Sequence, residues 1–191
     1  NPHRMMQDWP DVSKSRVAHM TSRDFYGTEQ AVTVTSSGPA TIEFVSLDGR
    51  VNVLKTDVPL VANEIVDCAV MNVGELRQFY SEEMEKAKSD GVLLSLHVKS
   101  TMMRVSDPII FGHCVSVYYE DVLNKHSAEM GELAVNPDNG IAELYTKIQS
   151  LTDAKRAEIE ADIQAVYSAR PELMMVDSNR GITNLHVPSD V

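Results

Sequence analysis

In the N-terminal part of the chain, apolar and polar residues alternate with a period of two, as in a β-strand with one buried face. The dipeptide Asp48-Gly49 separates two of these runs and is a strong hairpin signal. Pro59 has no backbone N–H and is expected to interrupt the run around it. The pattern predicts an antiparallel β meander with one face buried and one face in water. Its runs are residues 31–35, 41–45, 51–54 and 64–70.

Later in the chain, apolar residues recur every three or four positions, which predicts amphipathic helices. The first helix is expected over residues 72–90, with Gly91 at the position after its end, where glycine tolerates a positive φ. A second helix opens at Asp107-Pro108, an N-cap followed by proline, and is expected to run to about Lys125. Two more helices are predicted, over residues 141–151 and from the cap Thr152 to about Ala169.

The stretch between the first two helices carries the candidate chemistry. Residues 92–98 are apolar enough for a central strand buried on both faces, and Lys99 follows directly. A lysine at the end of an apolar run is usually a snorkelling residue. However, ligands of α/β sheets bind at the carboxyl ends of strands, and a lysine becomes a base when burial or a nearby cation lowers its pKa. Lys99 is therefore predicted to be a proton-transfer residue.

The order of elements predicts the fold class. Short strands are expected at residues 173–176 and 182–187, after the helices. A meander followed by alternating β and α elements favours an α/β fold, with a mixed sheet and helices packed on it. Residues 1–24 are expected to form an irregular arm, and residues 25–191 one mixed α/β subdomain.

Composition excludes several classes of function. The net charge is -11, from 17 basic and 28 acidic residues, which argues against a nucleic-acid partner. The only cysteines, Cys68 and Cys114, cannot form a CxxC zinc site and are expected to be free thiols. No apolar run approaches the roughly 20 residues of a membrane span, so no membrane partner and a cytoplasmic location are expected.

Other polar residues give no motif that competes with Lys99. The six histidines have no metal-ligand spacing, and a structural role is favoured for each. Asp107 is explained as a helix cap, and Arg180 as a solvated turn residue. Neither a GxGxxG nor a P-loop pattern is present. Four other carboxylates form no recognisable motif: Glu158, Glu160, Asp177 and Asp190.

The sequence LSLHVKSTMMRVSDPIIFGH, residues 94–113, resembles the signature region of the bacterial monomeric NADP-dependent isocitrate dehydrogenases. The resemblance implies oxidation of isocitrate by NADP and decarboxylation to 2-oxoglutarate and carbon dioxide, with Mg or Mn as metal cofactor. It extends over essentially the whole chain. The other matching blocks are DFYGTEQAVTV (24–34), NEIVDCAVM (63–71), AEIEADIQAVY (157–167) and MVDSNRGITNLHVPSDV (175–191).

Carried over residue by residue, the resemblance places the family's catalytic lysine on Lys99, as the group that takes the proton of the C2 hydroxyl. One departure is Arg104, where most relatives carry lysine; the charge is kept. The family's substrate-binding residues, metal ligands, catalytic tyrosine and NADP-binding residues fall outside this chain. The resemblance therefore implies no cofactor-binding and no metal-binding residue in this segment.

The resemblance also implies partners. The chain is expected to be part of the large domain of a longer, monomeric enzyme, with isocitrate as substrate and the rest of the same polypeptide as partner. Strand edges exposed by separation from that polypeptide favour self-association of the chain. Two alternatives remain open: a non-catalytic α/β binding or interaction domain that kept the scaffold, and a related β-decarboxylating dehydrogenase acting on another hydroxy acid.

Overall fold

The structure is a computed structural model, and it describes residues 11–96 and 106–173. The chain divides into two compact units. One is Met20–Asn72, and the other joins Asn1–His19 to Val73–Val191. Among the residues described, no helix has both the length and the apolar character needed to cross a membrane.

The unit Met20–Asn72 contains a short helix and four strands that form two antiparallel pairs. Strand β2 pairs with β3 as a hairpin, and β1 pairs with β4 outside it, so the connectivity is nested. The predicted antiparallel β structure of the N-terminal half is confirmed. The elements are α1 (Phe25–Thr28), β1 (Gln30–Thr33), β2 (Gly38–Val45), β3 (Val51–Leu60) and β4 (Ile65–Cys68).

The hairpin turn lies where the sequence predicts it. Gly49 has φ 81°, a left-handed conformation that glycine adopts at little cost. The amide of Ser46 donates to the carbonyl of Arg50 at 2.9 Å and closes the turn. The expected interruption at Pro59 is wrong, because Pro59 lies within β3 opposite Pro39. A ribbon of two strands leaves one edge of each strand unpaired, so a residue without N–H fits there.

The strands of this unit do not bury an apolar face. Every residue of β1 to β4 is exposed or half-buried, so the predicted burial of one face is wrong for this part of the chain. The alternation that suggested it is present in the sequence, but nothing in the described residues covers these side chains. Exposed apolar residues of the strands include Val32, Ile42, Phe44, Val45, Val51, Val53, Leu54 and Ile65.

The second unit is helical. The predicted helix from Asp107 to Lys125 is divided at Tyr119, whose φ of -103° and ψ of 22° leave the helical region. The helix that follows His126 was not predicted. The helices are α2 (Val73–Asp90), α3 (Ser106–Tyr118), α4 (Glu120–Lys125), α5 (Ser127–Glu132), α6 (Ile141–Lys147) and α7 (Asp153–Ala169), with 3-10 turns at Pro137–Asn139 and Ile148–Ser150.

The apolar core of the helical unit follows the predicted stripes. The side chains of α2 that face it, Leu76, Tyr80, Met84 and Ala87, recur at helical spacing, as the sequence indicated. The other buried apolar residues are Cys114, Val117, Tyr118, Tyr119, Val122, Met130, Leu144, Ile148, Ile159, Ile163 and Val166. Helices together with antiparallel strand pairs confirm the α/β class.

Helix α3 approaches the 3-10 turn Pro137–Asn139 so closely that only glycine fits at position 112. A Cβ on Gly112 would lie 1.8 Å from Asp138 Oδ1 and 2.9 Å from Asp138 Cα. The second distance involves the backbone, so a side-chain rotation of Asp138 does not relieve the overlap. Gly131 on α5 is a matched contrast, because its Cβ would meet nothing within 4 Å.

We expect Gly112→Ala to destabilise the chain by about 1 to 3 kcal/mol, because the turn must move away from α3. Gly131→Ala should instead stabilise it by about 0.5 to 1 kcal/mol, because alanine restricts the unfolded chain. Urea denaturation followed by circular dichroism measures both. Equal midpoints for the two variants would contradict the close packing at Gly112.

Candidate active-site corner

Lys99 lies in the segment 97–105, outside the described residues, and so do His97 and Arg104. The structure describes the residues that precede and follow this segment in the sequence. Before it, α2 ends at Asp90 and the chain turns at Gly91, whose φ of 69° matches the predicted positive φ. After it, α3 begins at Ser106.

The residues that lead toward Lys99 form a parallel contact. Leu94 pairs with Leu173 in parallel, and the Leu94 amide donates to the Glu172 carbonyl at 2.8 Å. Both segments therefore run in the same direction, and their carboxyl ends point to one edge. The burial on both faces predicted for 92–98 is wrong for residues 92–96, which alternate between exposed and half-buried.

Two side chains tie the helices to this corner. The Tyr118 hydroxyl, on α3, donates to the Pro171 carbonyl at 2.9 Å. Lys88 Nζ, on α2, donates to the carbonyls of Ser168 and Arg170 at 3.1 Å each. These carbonyls lie at the C-terminal end of α7, where a cation also interacts favourably with the helix dipole. A weaker contact, at 3.3 Å, joins the Tyr80 hydroxyl to the Ile110 carbonyl.

Tyr118 belongs to a cluster of tyrosine rings. Its ring meets that of Tyr119 edge to face, with centroids 4.9 Å apart, and Tyr119 meets Tyr167 in the same way at 5.9 Å. The hydroxyls of Tyr119 and Tyr167 are 3.0 Å apart. Burial raises the pKa of Tyr118 to about 12, so this hydroxyl remains a neutral donor near neutral pH. The arrangement fits a structural role.

Cys114 does not suit a nucleophile. Both are free thiols, as expected, with Cys68 exposed and Cys114 buried. Burial raises the pKa of the Cys114 thiol to about 12, which leaves almost no thiolate near neutral pH.

A second polar cluster joins α4, α5 and α7. His126, at the junction of α4 and α5, is completely buried, and its Nε2 is 2.7 Å from Asp162 Oδ2. Lys125 Nζ reaches the same oxygen at 2.7 Å and Glu158 Oε1 at 3.5 Å. Lys125, and then His126, hold the pKa of the Asp162 carboxyl below its usual range. A structural role for His126 agrees with the sequence-based interpretation, although its buried Nδ1 has no partner among the described atoms.

Ligand atoms of His126, Glu158 and Asp162 lie within 4.8 Å of one another, the proximity that a metal ion would need. Lys125 already neutralises the carboxylates of this cluster, and Lys155 Nζ contacts Glu158 at 3.2 Å and Glu129 at 2.9 Å. Mg and Mn favour sites rich in oxygen ligands, and a nearby ammonium group repels either ion. The residues therefore fit a network of ion pairs and do not fit a divalent metal.

The structure locates only some of the other sequence candidates. Asp107 lies in the first turn of α3, and Glu158 is part of the ion-pair network. Glu160 lies on α7, and Asp177, Arg180 and Asp190 lie outside the described residues. Sequence reasoning missed Tyr118, Lys88 and Asp162 as polar anchors, because their partners are distant in sequence and leave no local pattern.

The chain has an α/β fold, and helices α2 and α3 precede and follow, in the sequence, the segment that carries Lys99. The family model described as monomeric isocitrate dehydrogenase matches residues 1–191, and the chain therefore belongs to that family. The resemblance found in the sequence is thus confirmed.

Individual relatives agree. The chain is 54% identical over its whole length to isocitrate dehydrogenase (NADP) 2 of Colwellia maris, and 51% identical to isocitrate dehydrogenase (NADP) of Azotobacter vinelandii. It is 44% identical to isocitrate dehydrogenase (NADP) 2 of Mycobacterium tuberculosis. In each comparison the chain is covered completely and spans 26% of the relative's length.

We expect Asp162→Asn to destabilise the chain by about 1 to 2 kcal/mol at neutral pH, because it weakens the bonds to a buried histidine and a lysine. A carboxyl with a lowered native pKa stabilises the fold above its unfolded pKa, and this contribution is lost as the pH falls through the native value. The difference between wild type and variant should therefore shrink as the pH falls below about 4, the ordinary pKa of an aspartate side chain.

Urea denaturation at a series of pH values measures this difference. Asp153→Asn is the control, because the Asp153 side chain is 93% exposed and its pair with Arg156 is solvated. It should change stability little at any pH. A difference for Asp162→Asn that is independent of pH would contradict an ionised Asp162 in the cluster.

Proposed function

We propose that this chain is part of an NADP-dependent isocitrate dehydrogenase and supplies its catalytic lysine, Lys99. The observation that carries the proposal is the family match over all 191 residues. The parallel bridge between Leu94 and Leu173 supports it, because α/β enzymes bind ligands at the carboxyl ends of parallel strands and Lys99 follows Leu94 by five residues in the sequence.

In the proposed reaction, hydride leaves C2 of isocitrate for NADP while the proton of the C2 hydroxyl goes to the neutral amine of Lys99. The bond between C3 and its carboxylate then breaks, carbon dioxide leaves, and C3 is protonated to give 2-oxoglutarate. A bound Mg or Mn would supply electrostatic stabilisation of the negative charge that develops on oxygen. Lys99 must be uncharged to accept the proton, which requires a lowered pKa.

The rest of the proposed site lies in other parts of a longer polypeptide. The relatives named above are about four times as long as the chain, which leaves room for the groups that bind NADP, metal and substrate. We propose that this segment belongs to the large domain of a cytoplasmic enzyme that acts as a monomer. The domain bounds expected from the sequence, 1–24 and 25–191, stay a prediction.

In the complete polypeptide, Lys99→Met should lower kcat by about 100-fold or more, because the proton acceptor is removed. Lys55→Met, on exposed strand β3, is the matched control and should leave kcat unchanged. Steady-state production of NADPH from isocitrate measures both, and thermal unfolding shows whether each variant is folded.

A folded Lys99→Met enzyme with the wild-type rate would refute the assignment of Lys99. Absence of isocitrate oxidation by the complete wild-type polypeptide would instead favour one of the alternatives. A panel of related 2-hydroxy acids then separates them, because a related dehydrogenase oxidises one of these acids and a non-catalytic domain oxidises none.

We also propose that the isolated chain self-associates through the β2–β3 hairpin. Phe44 is 57% exposed and Val53 is 51% exposed, and a two-stranded ribbon is marginally stable alone. Phe44→Lys should shift sedimentation toward the monomer. Leu47→Lys in the turn makes the same type of change outside the strands and should shift it less. A wild-type chain that remains monomeric at high concentration would contradict this proposal.

A further inference from the structure

We propose that residues 11–17 form a strap that ion pairs close onto the C-terminal end of helix α2 and that salt releases. The strap and α2 belong to the same compact unit, which joins Asn1–His19 to Val73–Val191. The proposal concerns a conformational response to ionic strength. It uses only described residues and does not depend on the proposed function.

Two cations of the strap make the contact. Arg16 Nη1 lies 2.6 Å from Asp90 Oδ2, and Arg16 Nη2 lies 3.4 Å from Glu83 Oε2. Lys14 Nζ donates to the Asp90 carbonyl at 3.3 Å and lies 3.9 Å from Asp90 Oδ1. The partners are 67 to 76 residues apart in the sequence, so the contact is tertiary.

The strap buries little apolar surface. Its two valines, Val12 and Val17, are 88% and 92% exposed. Residues 13–17 belong to no helix or strand. Hydrophobic burial and regular secondary structure therefore contribute little to the attachment of the strap, and charge contributes most of it.

Exposed ion pairs of this kind respond to salt. The side chains of Lys14, Arg16 and Asp90 are between 35% and 59% exposed, so water and dissolved ions reach them. The screening length falls from about 10 Å at 0.1 M ionic strength to about 3 Å at 1 M. Because single exposed pairs are weak, the closed strap lies close to balance with an open form, and salt shifts the balance toward the open form.

Glu83 is the more buried of the two acidic anchors, with a side chain that is 14% exposed. Lys86 Nζ also contacts it, at 2.6 Å. Lys86, and then Arg16, lower the pKa of the Glu83 carboxyl, which is therefore ionised near neutral pH. Since Glu83 shares its charge between these two cations, Asp90 is the principal anchor of the strap.

The position of Asp90 separates release of the strap from loss of stability. Asp90 is the last residue of α2, where a carboxylate faces the negative end of the helix dipole. Lys14 and Arg16 bring positive charge to this end and offset the repulsion. Asparagine at position 90 removes the anchor and the repulsion together, so it opens the strap without making α2 less stable.

Trypsin measures the open strap directly, because it must take the Lys14 or Arg16 side chain into its own binding pocket. Mass spectrometry follows cleavage after both residues in the complete polypeptide, and a synthetic peptide of residues 11–20 corrects for the effect of salt on trypsin. When opening is faster than cleavage, the rate follows the open population. We expect the corrected rate to rise by about threefold or more between about 0.05 M and about 0.5 M sodium chloride.

Asp90→Asn should raise cleavage at low salt by about threefold or more and remove most of the response to salt. Glu85→Gln is the matched control, because Glu85 lies on the same helix and pairs with Arg170 instead. It should keep the wild-type rate and the wild-type response to salt. In thermal unfolding, the midpoint of Asp90→Asn should be no lower than that of the wild type.

A wild-type rate that does not change with salt would overturn the proposal, and so would equal cleavage of Asp90→Asn and the wild type at low salt. Equal acceleration in Asp90→Asn and Glu85→Gln would also overturn it, because a general loss of negative charge would then explain the effect. If Asp90→Asn lowers the unfolding midpoint, Glu83→Gln decides: faster cleavage at low salt supports the strap, and a wild-type rate contradicts it.

Discussion

The hydrogen bond between the Leu94 amide and the Glu172 carbonyl is the constraint on which the helical unit depends. It pairs two short segments that are too limited in length to be stable alone. Helix α2 leads into one segment and α7 into the other, and Tyr118 and Lys88 hold the same backbone from α3 and α2. These contacts therefore meet on the same short stretch of backbone, residues 168–172.

Local features of the fold could be predicted from the sequence, because neighbouring residues determine them. Thr152 accepts from the Lys155 amide and caps α7, and Gly91 and Gly49 adopt positive φ. Contacts between distant residues could not be predicted. Tyr118 and Pro171 are 53 residues apart, and His126 and Asp162 are 36 apart. Neither pair has a periodic or spacing signal in the sequence. The ion pairs around His126 and the hydrogen bond from Tyr118 to Pro171 are therefore visible only in the structure.

The β-rich unit shows the limit of hydrophobic patterning. Alternation correctly indicated which residues form strands, but it cannot say what covers their apolar side. Val45 and Val53, which lie on one face of the hairpin, remain more than half exposed, although their alternation is typical of a buried face. Under the proposed function, cover comes from the remainder of a polypeptide about four times as long as this chain. The apolar alternation of these strands would then reflect burial in the complete enzyme and not in this segment alone.

The titratable groups discussed above stabilise the fold and are not reactive, which agrees with a site completed by other parts of a longer polypeptide. The raised pKa values of Tyr118 and Cys114 keep both groups neutral, and the carboxylates near His126 are neutralised by lysines. Such groups stabilise a framework and perform no proton transfer near neutral pH. Under the proposed function, a general base needs two things, a fixed position and neighbours that lower its pKa. The sequence alone provides the amine at position 99, whereas the described framework is held by contacts between distant residues, such as Tyr118 and Pro171, which are 53 residues apart.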